Sequence, residues 1–312
     1  MYAYKPNQLF NAIKAAKPDL VHVEQGPSAV SYAQTNLIAK LVNPRVKSIF
    51  FTWISWEPAQ SLKHKLFFKP IEKCNLAAAH GALAGNRDAA DILVQKGFKK
   101  LICVVPQLGV DTSTFVPKDT SLRVKKRIGF VGRFTVEKGI LLLMEAFADL
   151  AHQFPDWDLA MVGTGPDRGQ LEQSIQHHNL HERTHVIDPL PHDQVASFME
   201  TIDILVLPSY DTPVWREQFG HVLIEAMASG VAVIGSTAGE IPHVIGDAGV
   251  TFEQKNTAAL LAQLTTLMQD EELRKKFASQ GLERVNALYS HHAIARQTFT
   301  FWQSILGKKE SA

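Results

Sequence analysis

Cysteine is almost missing from this sequence: Cys74 and Cys103 are the only two among 312 residues. No disulfide framework can be built from them, and neither has a His or Cys at ligand spacing, so they read as reduced structural residues of a cytosolic protein rather than zinc ligands. Long apolar runs are missing too. Nothing approaches the stretch of about 18 apolar residues that a membrane span needs, and the opening Met1-Tyr-Ala-Tyr-Lys-Pro6 has no apolar signal core. Low-complexity tracts are absent, and glycine and proline contents are ordinary. No nucleic-acid-binding motif accompanies the basic residues. What remains is a chain long enough for two domains with substantial cores.

The net charge of +1 conceals an asymmetry. Residues 1–126 hold 18 Lys plus Arg against 8 Asp plus Glu, a balance of +10, whereas residues 127–312 hold 14 against 23, a balance of −9. Opposite charges suit two domains facing across a cleft, and a basic domain also suits anionic lipid. Within the basic part, residues 61–73 place Leu62, Leu66, Phe67 and Ile71 on one helical face with Lys63, Lys69 and Lys73 off it. Such a helix either packs on its own core or rests on a membrane surface.

Apolar runs punctuated by helix-length segments give the organisation. Helices are predicted over residues 7–16, 28–41 and 87–96, the last stopped by Gly97, and strands over 20–23, 47–52, 81–84 and 101–105. A polar linker runs from Val116 to Arg123. From Arg127 to Phe252 strand and helix alternate, and helices over 257–268, 271–288 and 291–306 follow. The expectation is an α/β chain of two Rossmann-like domains. Residues 1–118 form the first, 119–290 the second, and 291–312 a C-terminal helix.

The most informative segment is Glu217-Gln-Phe-Gly-His-Val-Leu-Ile-Glu225. It lies between two buried-strand patterns, Asp203-Ile-Leu-Val-Leu-Pro-Ser209 and Val231-Ala-Val-Ile-Gly235, so it sits at the carboxyl end of a parallel strand, where open α/β sheets bind ligands. A helix beginning near His221 would aim free backbone N–H groups of Gly220, His221 and Val222 at an anion. Carboxylates on either side accept hydroxyl donors. A seat for a phosphate flanked by hydroxyl acceptors describes a nucleotide sugar.

The stretch from Ser209 to Phe252 resembles the signature of retaining GT-B glycosyltransferases of family 4, the glycosyl transferases group 1. Gly129-Phe-Val-Gly-Arg133 with Glu137-Lys-Gly139 is similar to that family's first donor-domain strand, Met161-Val-Gly-Thr-Gly-Pro166 to its second glycine turn, and Val105-Pro-Gln-Leu-Gly-Val-Asp111 to the segment closing its first domain. The matches occur in the family's order, over roughly residues 18–305.

That resemblance implies roles: residues 1–118 become the acceptor-side domain, 119–290 the donor-binding domain and 291–312 a helix returning to the first. Arg133 and Lys138 would neutralise the donor diphosphate, Glu217 would hold a donor-sugar hydroxyl and Glu225 the ribose. Gly163 and Gly165 would let the backbone approach the nucleotide, and the base would lie near Ile187. His221 is either a ligand contact or a solvent-facing cap. No cofactor and no metal are called for, the donor substrate being a nucleotide-diphosphate sugar. The acceptor would be a glycan or a lipid-linked intermediate of bacterial surface polysaccharide synthesis, and the site cytoplasmic or on the inner face of the membrane. A nucleotide-sugar-binding subunit without turnover fits the same donor motifs. The sequence departs from the family at the front: it opens on what resembles the middle of the first domain, with four readable strands. A shortened domain exposes edges, which a second copy, a partner chain or lipid would cover; a truncated reading frame accounts for the same absence. Thr52-Trp53 stands where many members carry an acceptor-side His, and no catalytic base is identifiable there.

Overall fold

Short strands rich in Val, Ile, Leu and Phe, separated by amphipathic helices, leave the chain one economical arrangement: parallel strands joined by helical crossovers. The computed structural model describes residues 3–55, 64–117 and 125–308. It divides the chain into two compact units, one of Met1–Gln107 with Ile294–Ala312 and one of Leu108–Ala293.

In the first unit α1 (Pro6–Ala16), β1 (Leu20–Val23), α2 (Val30–Val42), β2 (Lys47–Thr52), α3 (Lys69–Ala78), β3 (Gly81–Ala84), α4 (Arg87–Gln95) and β4 (Leu101–Val104) follow one another. The four strands form one parallel sheet in their chain order, β1-β2-β3-β4. Because side chains alternate, the sheet has two apolar faces. Phe50 and Ala82 pack with Tyr32, Leu93 and Phe98 on one side. Ile49, Phe51 and Leu83 pack on the other against Ile294, Phe301, Trp302 and Ile305 of the C-terminal helix, His291–Leu306. That helix covers a face that no crossover reaches, and it approaches so closely that a Cβ on Gly81 would lie 2.5 Å from Ile305 Cδ1.

The second unit contains β5 (Lys126–Val131), α5 (Ile140–Ala151), β6 (Trp157–Val162), α6 (Arg168–His177), β7 (Thr184–Ile187), α7 (His192–Met199), β8 (Ile204–Leu207), α8 (His221–Ala228), β9 (Ala232–Ser236), α9 (Ile241–Ile245), β10 (Val250–Phe252), α10 (Thr257–Gln269) and α11 (Glu271–Arg284). Its six parallel strands are ordered β10-β9-β8-β5-β6-β7. The chain therefore builds outward from β5 in one direction, then returns to β8 and builds in the other. Ile128, Phe130, Leu159, Met161, Val206 and Ile234 face α5, α6 and α10 in an extensive apolar core.

Three local features differ from expectation. Residues 108–117 join the second unit rather than the first, because Val110 is hydrogen-bonded on both sides to the segment at Tyr289 and His291, and Phe115 is fully buried. Of the expected basic helix over 61–73, residues 61–63 lie outside the described residues; 64–68 form a wide helical turn, and regular helix starts only at Lys69, next to Pro70 in its first turn. The helix expected through Leu288 ends at Arg284 in another wide turn, Val285–Tyr289. Cys74 is exposed and Cys103 half-buried, both as free thiols. Most of the expected linker, 118–123, falls outside the described residues.

Candidate functional site

A parallel sheet whose order reverses opens a crevice at the carboxyl ends of the two strands flanking the reversal. Here those strands are β5 and β8, and the sequence after each supplies the charged groups. Arg133 and Lys138 follow β5; Ser209, Glu217 and Gly220 follow β8. Gly163 and Gly165 follow the neighbouring β6, and Ile187 ends β7.

The centre of the crevice is one short ion pair. Lys138 Nζ lies 2.5 Å from Glu217 Oε2, and the Ser209 hydroxyl donates to the same oxygen at 3.1 Å. Both charged side chains are largely buried, and the ammonium also stands 5.0 Å from the centroid of the Trp215 ring. A buried pair is tolerable only when its remaining hydrogen-bonding capacity is met, which Ser209 and Trp215 help to do. Backbone contacts fix the two loops to each other. The Tyr210 N–H donates to the Glu137 carbonyl at 2.8 Å, and Gly139, in the left-handed region at φ 68°, passes so near β8 that a Cβ would lie 2.2 Å from the Pro208 carbonyl oxygen.

Arg133 is different. Its side chain is 67% exposed, with Glu137 Oε1 4.0 Å away. It is the available cation of the crevice, a planar fork suited to a diphosphate, whereas Lys138 is already matched by a carboxylate. The sequence reading gave the two residues one role; the geometry distinguishes them.

Helix α8 starts where the motif requires. Gly220 caps it at φ 82°, a conformation that suits glycine, and its opening turn has no side-chain cap. His221 is half-buried rather than solvent-facing, its ring 4.9 Å from that of Phe219. Burial pulls its pKa below the ordinary histidine value, against the opposing effects of a hydrogen bond with the Leu108 backbone and the charge of Glu217. Val222 is half-buried beside it. About one turn further along, burial pushes the Glu225 carboxyl above its usual range, offset in part by His192, whose Nδ1 lies 3.8 Å from Glu225 Oε1.

The glycines after β6 serve the protein backbone itself. A Cβ on Gly163 would lie 1.9 Å from the Gly132 carbonyl oxygen, and one on Gly165 2.2 Å from that of Phe134. They hold the β5 and β6 loops in contact, which brings Arg133 to the crevice. Beyond Ile187, Asp188 Oδ1 accepts from Arg168 Nη1 at 2.5 Å. The Asp156-Trp157-Asp158 sequence points away from all this. It lies at the opposite end of β6, where Asp158 is buried 3.3 Å from Lys125 and 3.5 Å from His185.

Sequence reasoning missed Ser209, Trp215 and His192. Ser209 ends a recognisable strand and was within reach of a motif-based reading. Trp215 and His192 come from loops whose paths no periodicity encodes.

Two α/β units, each built on a parallel sheet, fit the GT-B architecture, and a family model shows the class. The model described as glycosyl transferases group 1 matches residues 114–284, more than half of the chain, and the chain belongs to that family. It is 30% identical over 208 residues to the N-acetyl-alpha-D-glucosaminyl L-malate synthase of Bacillus anthracis, covering 63% of this chain and 52% of that protein. It is 28% identical over 205 residues to the phosphatidyl-myo-inositol mannosyltransferase of Mycolicibacterium smegmatis, covering 64% of this chain and 51% of the relative. The Anabaena protein Alr3699/HepE, solved in complex with UDP, shares the fold at 17% identity and a TM-score of 0.75, with 96% of this chain and 82% of that one covered. The chain thus spans about half the length of these curated relatives.

Proposed function

We propose that this chain is a retaining hexosyltransferase. It moves a hexose from a nucleotide-diphosphate sugar to a glycan or lipid-linked acceptor in bacterial surface polysaccharide synthesis. The observation that carries the reading is the convergence of Arg133, the Lys138–Glu217 pair and the uncapped start of α8 at the β5/β8 reversal.

The chemistry follows from charge. As the glycosidic bond to the diphosphate lengthens, negative charge collects on the phosphate oxygens and positive charge on the sugar. The exposed Arg133 guanidinium takes the phosphates through two parallel N–H donors, and the backbone N–H groups of Gly220, His221 and Val222 add fixed dipoles. Lys138 shares itself between Glu217 and the phosphate, which leaves Glu217 oriented to accept a sugar hydroxyl. Glu225 accepts from the ribose, and the base lies near Ile187. In the same-face reaction the departing phosphate takes the acceptor proton, so no side-chain base is required; the reaction needs no metal or other cofactor. The enzyme works in the cytoplasm, and its basic first unit meets the inner face of the membrane.

A second reading fits the same donor-side groups: a nucleotide-sugar-binding subunit without turnover on its own. The bound UDP of the Anabaena structure makes UDP the first nucleotide to try.

Isothermal titration with UDP, GDP and ADP tests the site. One nucleotide should bind saturably, and Arg133→Ala and Glu225→Ala should each weaken it by about 1–3 kcal/mol, the range for a charged hydrogen bond. Unchanged affinity in both variants removes the assignment. Binding without hydrolysis or transfer from the matching sugars selects the subunit reading.

A further inference from the structure

The first unit carries a positive groove that the transfer reaction does not use. A cavity of about 600 Å³ lies between α3 and the turn joining α4 to β4, lined by Lys69, Lys73, Lys96, Lys99 and Lys100 with Glu72 as its carboxylate. Glu72 is already committed, its Oε1 2.6 Å from Lys96 Nζ with both side chains largely buried. Lys100 is committed as well, donating to the Ala77 carbonyl at 2.6 Å and to that of Ala79 at the end of α3. Burial and the nearby charge of Lys40 lower the Lys100 pKa, a sign of cations crowded together.

Lys69, Lys73 and Lys99 are exposed and pair with no described carboxylate. Lys69 and Lys73 lie one turn apart on the same side of α3, and with Lys99 they leave the groove a net positive charge that suits an anion from outside the chain.

An apolar feature beside them narrows the choice. Leu66 and Phe67, on the wide turn leading into Lys69, are 62% and 60% exposed. A dissolved phosphate needs only the lysines. Two large apolar side chains standing next to them serve a surface that is anionic outside and apolar beneath. We infer that this face docks on an anionic lipid bilayer, with the lysines on headgroup phosphates and Leu66 and Phe67 entering the acyl boundary.

The inference deepens the membrane contact proposed for the first unit, and it is read without the donor site. Co-sedimentation of the full chain with vesicles of phosphatidylglycerol and phosphatidylcholine in equal parts, and with pure phosphatidylcholine, tests it. Binding to the first and not the second is expected. The triple variant Lys69→Glu, Lys73→Glu, Lys99→Glu should bind on the order of 100-fold more weakly, each basic residue near the surface contributing about a factor of 5. The corresponding glutamine triple, gentler on folding, should weaken binding in the same direction. Leu66→Ser with Phe67→Ser should lower binding at fixed salt. Equal binding to both vesicle types, or phosphatidylglycerol binding unmoved by either lysine triple, overturns the proposal. So does binding that millimolar inorganic phosphate abolishes while the serine pair leaves it unchanged, since that marks a soluble-anion site. UDP titration of each variant reports the donor site separately, so loss of vesicle binding with intact nucleotide binding isolates this surface.

Discussion

The two sheets differ in one topological respect, and the difference decides where chemistry can happen. In the first unit the strands are laid down in one direction, β1 to β4. Right-handed crossovers that all advance the same way place their helices on one face, so the other face is covered by the C-terminal helix, and among the described residues no reversal opens a crevice. In the second unit the chain reverses between β5 and β8, and both loops beside the reversal are loaded with functional groups. One sheet is completed by a distant helix. The other is complete in itself and uses its centre as a site.

The comparison breaks most visibly at Phe301. It is buried against Ile49, Phe51 and Leu83 as part of the helix that covers the exposed face. Phe301→Ala should cost about 3–5 kcal/mol, the range for deleting a buried aromatic. Hydrogen exchange should show the loss in β2 and β3 while β5 and β8 keep their protection. Equal loosening of both sheets would mean that the two units do not unfold as separate bodies.

A smaller effect is expected from Lys138→Met. It leaves Glu217 as a largely buried carboxylate with the Ser209 hydroxyl still donating to it. Breaking a buried pair costs roughly 3–5 kcal/mol, reduced here to about 2–3 because that hydroxyl remains and the pair is not fully buried. Urea unfolding followed in the second unit checks it. The double variant Lys138→Met, Glu217→Met should recover most of the loss while nucleotide binding stays weak, separating the stabilising role of the pair from its role in binding.

These contrasts explain how much the sequence disclosed. The strands over 20–23, 47–52 and 81–84 match the structure residue for residue, because buried parallel strands are written as short apolar runs between turn residues. Glu217, Gly220 and the start of α8 were legible for the same reason: strand, loop and helix are contiguous in the chain. The Lys138–Glu217 pair was not legible as a pair. Its members are separated by the whole excursion through β6 and β7, and only the return of β8 beside β5 joins them. Gly163 and Gly165 show the converse. The motif was visible, but its cause lies in carbonyl groups of a neighbouring loop, and sequence spacing does not report such a neighbour. Residues 108–117 were assigned to the wrong side of a boundary because their partners at 289–291 are remote in the chain.

The smallest expected effect concerns pH and separates the units again, since His221 belongs to the crevice. Burial holds its folded pKa below the ordinary value of 6.5, so the folded protein binds this proton less readily than the unfolded chain. A depressed pKa contributes stability that is present above the unfolded value and lost as pH falls. From pH 7.5 down to about 5.5 the second unit should therefore lose stability through this residue, by less than one proton's worth of slope at any pH. Glu225 acts in the same region with the opposite sign. Its raised carboxyl pKa favours the protonated form, so its contribution is greatest at low pH and fades as pH rises through the folded value. The histidine effect runs downward from 6.5 and the carboxyl effect upward from 4.5, with opposite signs. His221→Asn should remove the histidine part of the slope, in urea midpoints measured every half unit of pH. An unchanged slope in that variant would show that the imidazole is as free to ionise in the folded crevice as in the unfolded chain.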